Sequence, residues 1–221
     1  KPEAGVTKIT TATNYVITFT ENAAVRISYR PDDAEHGIVS RDGENVGPAT
    51  GTPEGSTATA KDGWAFKHWT KGGEIVSWDR TLSKEVIDAN SKDANDLYVE
   101  SEYVAVFGED KNEDNIPDDL QIVFTYVADD YGTLEGTTSE YHNKYKVKLD
   151  GTLELDPDGN PIPVEGTINP EVKVTIKPST GYKFDSWTDS NNITYNTTDA
   201  LKAAPYAVED ETFTAHFTKD E

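Results

Sequence analysis

The sequence predicts a mostly β protein made of two tandem small modules, each with at most a short helix. An internal repeat, period-2 alternation within the repeated segments and weak helical signals together predict it. The repeat is clearest where Gly63-Trp64-Ala65-Phe66-Lys67-His68-Trp69-Thr70 matches Gly181-Tyr182-Lys183-Phe184-Asp185-Ser186-Trp187-Thr188, at a constant offset of 118. The same offset pairs Thr57 with Thr175 and Ile75 with Ile193.

The elements follow in order. Within residues 1–22, Tyr15-Val16-Ile17-Thr18-Phe19-Thr20 reads like the closing strand of both copies, so this stretch is expected to end a preceding repeat or add a strand. Module 1 spans residues 23–107. It opens with Val25-x-Ile27-x-Tyr29 and Gly37, passes a hairpin-type signal at Asp42-Gly43, and closes with Tyr103-Val104-Ala105-Val106-Phe107. Its brief helix is expected at residues 83–89, inside a long loop over 83–102. An acidic linker fills residues 108–121.

Module 2, residues 122–221, repeats the plan with Ile122-x-Phe124-x-Tyr126, Gly132, Val172-x-Val174-x-Ile176 and Phe213-Thr214-Ala215-His216-Phe217. The flanking matches carry offsets of about 95 and 110, as surface-loop insertions require. One insertion lies near residues 141–166. There, residues 144–149 and 152–155 around Asp150-Gly151 predict an added hairpin, and Asp158-Gly159 marks another turn. A second helix is expected over residues 198–204, stopped by Pro205.

Composition bounds the function. With 41 Asp and Glu against 20 Lys and Arg, a net charge of −21 disfavours nucleic acid and anionic membrane surfaces. The absence of cysteine removes disulfides, thiolate nucleophiles and Cys-ligated zinc. No apolar run approaches the ~20 residues of a membrane span. A chain starting at Lys1 without Met reads as a segment whose export and anchoring signals lie outside it.

The Gly-aromatic-x-Phe-x-x-Trp string, followed by an aromatic-x-Ala-x-Phe strand, resembles the divergent internalin-B-type B-repeat, also called the Listeria–Bacteroides repeat. The resemblance covers residues 25–107 and 122–217. It implies β-grasp-like modules, a place in the stalks of bacterial cell-wall or secreted proteins, and no catalytic residues.

The linker carries a candidate metal loop. Asp110, Asn112 and Asp114 occupy positions 1, 3 and 5 of a calcium loop, with the Ile116 carbonyl at 7 and Asp118 at 9. Asn115 stands at the sharp turn, where a positive φ is expected, and Gln121 replaces the usual closing glutamate. The string resembles the calcium loops of bacterial thrombospondin-type-3-like repeats, so calcium is the expected structural cofactor. The plain alternative is a solvated acidic linker.

Trp69 and Trp187 recur at equivalent positions and are expected in the cores. Trp64 and Trp78 are the candidate ligand-binding residues, since exposed aromatic rings stack on sugars. A half-buried sheet position explains them equally well. His36, His68, His142 and His216 lack metal-ligand spacing, and no nucleophile elbow or phosphate loop appears. The expected function is therefore non-catalytic: a monomeric, extracellular stalk or spacer that projects an adhesive region, wall-attached or secreted. The alternatives are an adhesin module binding a host protein or glycan, and an accessory module of a secreted polysaccharide-degrading enzyme.

Overall fold

The computed structural model describes residues 18, 20–148 and 151–221. The expected N-terminal strand, residues 15–20, falls almost wholly outside the described residues, as does the Leu149-Asp150 half of the inserted turn.

The first half of the chain runs β1 (Val25–Pro31), β2 (Gly37–Val39), β3 (Gly43–Val46), β4 (Ser56–Ala60), β5 (Trp64–Lys71), β6 (Glu74–Ser77), β7 (Thr81–Leu82), α1 (Lys84–Asn90) and β8 (Ser101–Glu109). After a 3₁₀ turn at Asp118–Leu120, the second half runs β9 (Gln121–Ala128), β10 (Gly132–Gly136), β11 (Ser139–Asn143), β12 (Val174–Pro178), β13 (Tyr182–Thr188), β14 (Thr194–Tyr195), α2 (Thr198–Lys202) and β15 (Glu211–Lys219). The fold is mostly β, with one short helix per module. No helix among the described residues is long and apolar enough to cross a membrane.

Each half builds one five-stranded mixed sheet of the same topology. The orders are β3-β1-β8-β5-β6 and β11-β9-β15-β13-β14, with β1 parallel to β8 and β9 parallel to β15. A smaller sheet completes each half, β2-β4-β7 in the first and β10-β12 in the second. The paired strands alternate as a half-buried sheet must. Ile27 and Tyr29 of β1 face the core with Tyr103, Ala105 and Phe107 of β8; Phe124 and Tyr126 of β9 do so with Phe213, Ala215 and Phe217 of β15.

The Phe-x-x-Trp spacing has a physical cause. Residues three apart on a regular strand face opposite sides, yet Phe66 and Trp69 share the core. A β-bulge makes this happen: Phe66 pairs with Phe107 and His68 with Val106, so Lys67 is the extra residue. Module 2 repeats it, with Phe184 opposite Phe217, Ser186 opposite His216, and Asp185 extra. Trp69 and Trp187 are both 0% exposed. The Trp69 Nε1–H donates to the Arg80 carbonyl at 3.1 Å, and that of Trp187 to Thr198 Oγ1 at 3.1 Å.

Two glycines belong to the same plan. A Cβ on Gly37 would fall 2.3 Å from the Phe107 ring, and one on Gly132 would fall 2.2 Å from Phe217. A buried tyrosine also recurs. Tyr29 donates to Glu44 at 2.5 Å, and Tyr126 to Glu140 at 2.5 Å. Glu44 accepts in turn from the backbone of Glu54 and Gly55, and Glu140 from Glu171 and Val172.

Three local expectations change. Asp42-Gly43 does not close a hairpin: it carries the chain from β2, paired with β4, into β3, paired with β1. Val172 lies outside β12 at φ 49, because its N–H turns toward the Tyr126 hydroxyl (3.3 Å) and Glu140 (3.4 Å). The insertion gains a third segment. Val147 bridges Leu153 as the predicted hairpin requires, but Tyr145 also bridges Pro163 and Leu155 bridges Pro161, so each of three short segments pairs with the other two. The helices begin at caps Ser83 and Thr197, and α2 ends before Pro205.

Candidate functional site

The region between the two large sheets holds most of the residues singled out from the sequence. It is built on Gly108 and Gly63. The Asp110 N–H donates to the Gly63 carbonyl at 2.9 Å, and the Gly108 position lies so close to Pro117 that an added Cβ would stand 2.7 Å from the proline Cβ. Asp110 is 4% exposed. Its carboxylate accepts the backbone N–H of Asp114 at 3.1 Å and of Asn115 at 2.9 Å, which closes the loop. Asn115 takes the positive φ expected of it, 67°, and Glu113 takes another, 58°.

The remaining linker residues gather around Asp114. It accepts the Ile116 N–H (2.9 Å), the Asn112 amide (3.0 Å) and the Gln121 amide (2.7 Å). Gln121 also donates to Asn143 at 2.8 Å. Asp118 stands apart, accepting the Lys111 N–H at 3.1 Å and lying 3.7 Å from its ammonium. Among the described residues, no three carboxylates or imidazoles form a group ready to hold a metal ion. Oxygen donors are present in number, but the two amides present N–H to Asp114; a half-turn of each would present oxygen instead.

The same linker makes an apolar joint. Ile116 and Leu120 are 6% and 8% exposed, packed with Leu153 of the insertion and with the Trp78 indole of module 1. Tyr145, Val147 and Leu155 flank them, and the void left between the two sides is only about 20 Å³. Lys67, the bulge residue of β5, pairs with Asp119; Lys148 lies 3.9 Å from Asp79. Beneath Trp78 sits His68, ring to ring at 5.0 Å, with its Nδ1 buried and unpartnered. Burial, and then the neighbouring Lys67 charge, push the His68 pKa below its ordinary 6.5.

Trp64 lies on the other side of the joint. His36 stacks on its indole at 3.5 Å between ring centroids, and it lines a cleft of about 490 Å³. Lys61, Asp62, Arg80, Glu113 and Asn115 complete the walls. Sequence reasoning singled out the acidic and tryptophan residues but missed Leu153, Tyr145 and Arg80. The insertion's Tyr145-x-Val147 and Leu153-x-Leu155 alternation was the available sign that it has an apolar side.

The divergent InlB B-repeat domain family matches residues 31–93 and 150–221, together more than half the chain. Both matched regions contain a Gly-aromatic-x-Phe-x-x-Trp string. The first stops before β8 and the second starts after β11, so those strands are paired with their counterparts by the shorter flanking matches and by the shared topology. No curated protein and no solved structure matches the chain.

Proposed function

The chain belongs to the divergent InlB B-repeat domain family, a family of repeat modules of bacterial surface proteins that are generally non-catalytic, and from that premise we propose that it is a monomeric, non-enzymatic spacer in an extracellular stalk. The joint carries this reading. A spacer projects its cargo only if neighbouring modules keep their angle. Here Ile116, Leu120 and Leu153 are removed from water between the modules, and burying side chains of this size contributes about 1.5–3 kcal/mol each.

The test is small-angle scattering on the intact chain and on an Ile116→Ser/Leu153→Ser variant. The wild type should give one narrow distance distribution at monomer mass, and the variant a broader one with both cores folded. A wild type as broad as the variant would remove the reading.

Calcium belongs to the same proposal. Asp110, Asn112, Asp114, Ile116, Asp118 and Gln121 would supply oxygen ligands once the two amides turn and Asp118 leaves Lys111. An ion there would hold the loop that leads into the joint. With glutamine in the closing position, calorimetry should find Kd of about 10⁻⁴–10⁻³ M, the weak extracellular class. An Asp110→Ala/Asp114→Ala variant should take up none. A heatless titration of the wild type at millimolar calcium would leave the linker a purely hydrogen-bonded hinge cover.

A further inference from the structure

The internal repeat separates residues the fold needs from residues it does not. At the turn that leads into Trp64 the backbone is the same in both modules. The Lys61 N–H donates to His36 and the Trp64 N–H to the Lys61 carbonyl, at 2.9 and 3.0 Å; in module 2 the Ser179 N–H donates to Tyr131 and the Tyr182 N–H to the Ser179 carbonyl, both at 2.9 Å. The aromatic stack also recurs, Tyr131 on Tyr182 at 4.5 Å and 8°. The side chains nevertheless differ. Serine replaces Lys61 and Tyr182 replaces Trp64, and Arg80 meets the Trp69 indole with its carbonyl, which leaves its side chain outside that bond. The turn therefore requires neither the Lys61 cation nor the indole, and the bond to Trp69 does not use the Arg80 guanidinium.

Those three residues converge on one cleft. Its volume, about 490 Å³, falls within the range of small-molecule sites, about 300–1,000 Å³. In so acidic a chain, most module 1 cations are spoken for: Arg26, Arg30, Arg41, Lys67, Lys84 and Lys92 all enter ion pairs. Lys61 and Arg80 enter none among the described residues. The far wall comes from the linker, where the positive φ of Glu113 and Asn115 sets the loop beside Trp64.

We propose that this cleft binds a neutral glycan. An indole held in plane by His36 suits the apolar face of a pyranose ring. Sugar hydroxyls both donate and accept; Asp62 and Glu113 accept, Lys61 and Arg80 donate, and the Asn115 amide does both. The lining carries three carboxylates (with Asp110) against two cations on a chain of charge −21, so an acidic sugar is repelled. The site does not depend on the spacer reading: a rigid joint without sugar binding, or the converse, is readily distinguished.

The experiment titrates the intact chain with neutral oligosaccharides of glucose, mannose, galactose and N-acetylglucosamine, with a uronic-acid oligosaccharide as charged control. Calorimetry gives affinity, and the indole N–H resonances give location. A neutral sugar should shift the Trp64 resonance. Trp64→Ala should weaken binding by about tenfold or more, about 1.4 kcal/mol. Tyr182→Ala should leave it unchanged. Because Trp64→Ala also strips the edge of the core, a second variant, Lys61→Ser/Arg80→Thr, puts module 2's serine at the matching turn, removes the exposed Arg80 cation, and should weaken binding with stability intact. Binding of none of the sugars, binding of the uronic acid alone, or neutral-sugar binding that survives Lys61→Ser/Arg80→Thr would each overturn the proposal.

Discussion

In module 1 the latch glutamate, Glu44, finds its backbone donor ten residues away at Glu54; in module 2 Glu140 reaches 31 residues to Glu171. The hydrogen bonds are alike, and the tyrosine closes each at 2.5 Å. The whole insertion lies within the longer reach. Lengthening a loop between two fixed ends costs only about 0.6 kcal/mol per doubling. The copies could thus diverge freely outside the sheet, and module 2 used that freedom to grow the piece that packs on Trp78. The residues that fix the sheet and its core did not diverge: tryptophan, bulge, glycine and latch are all kept.

The largest expected effects test that equivalence directly. Trp69→Ala and Trp187→Ala should each cost about 3–5 kcal/mol by chemical denaturation. Comparable losses would show two cores of one design, whereas a loss under about 1 kcal/mol at either site would break the pairing. Gly37→Ala and Gly132→Ala come next, at about 1–3 kcal/mol each, since the new methyl meets a phenylalanine ring in both modules.

The latches should separate the copies. Tyr29→Phe leaves Glu44 short of a donor, at about 1–3 kcal/mol. Tyr126→Phe should cost less, because His142 Nε2 lies 2.6 Å from Glu140 whereas the Arg41 guanidinium stands 3.5 Å from Glu44; equal losses would show that the closer histidine gives no advantage. Burial pushes both carboxyls up, but the tyrosine and backbone hydrogen bonds to Glu44, and those of His142, Tyr126 and Glu171 to Glu140, outweigh it. Both pKa values therefore lie below the ordinary 4.5. A carboxyl lowered on folding stabilises the protein above its unfolded pKa, and that stability is lost as pH falls through the folded value.

His68 gives a smaller effect at milder pH. The unfolded chain takes up the proton near 6.5 while the buried ring resists it, so stability should decline as pH drops below 6.5 and level off once the folded ring is protonated. Ser186 occupies this position in module 2. Replacing His68 with serine should flatten the stability profile between neutral pH and the carboxylate range; an unchanged profile would show that the ring does not titrate between folded and unfolded states. The exposed Lys148–Asp79 contact should matter least, at about 0–1 kcal/mol on Asp79→Asn.

The sequence by itself determined the repeat, the strand pattern, the buried tryptophans and the place of the two short helices. These depend on short-range rules: alternation, proline, and an aromatic string that recurs because each core must be filled in the same way. It also placed the turn at Asn115, where one residue type betrays a backbone angle. Tertiary structure alone decided the rest. The bulge at Lys67 and Asp185 is invisible until a partner strand is counted against it. Val172 reads as strand by alternation but turns away to serve a carboxylate 32 residues earlier. Trp78, Ile116 and Leu153 are far apart along the chain, and nothing local says that they meet. Lys61, Trp64, Arg80 and Glu113 likewise form one cleft only because the linker folds back over β5. Such groupings arise from contacts between surfaces, and surfaces exist only after the chain has folded.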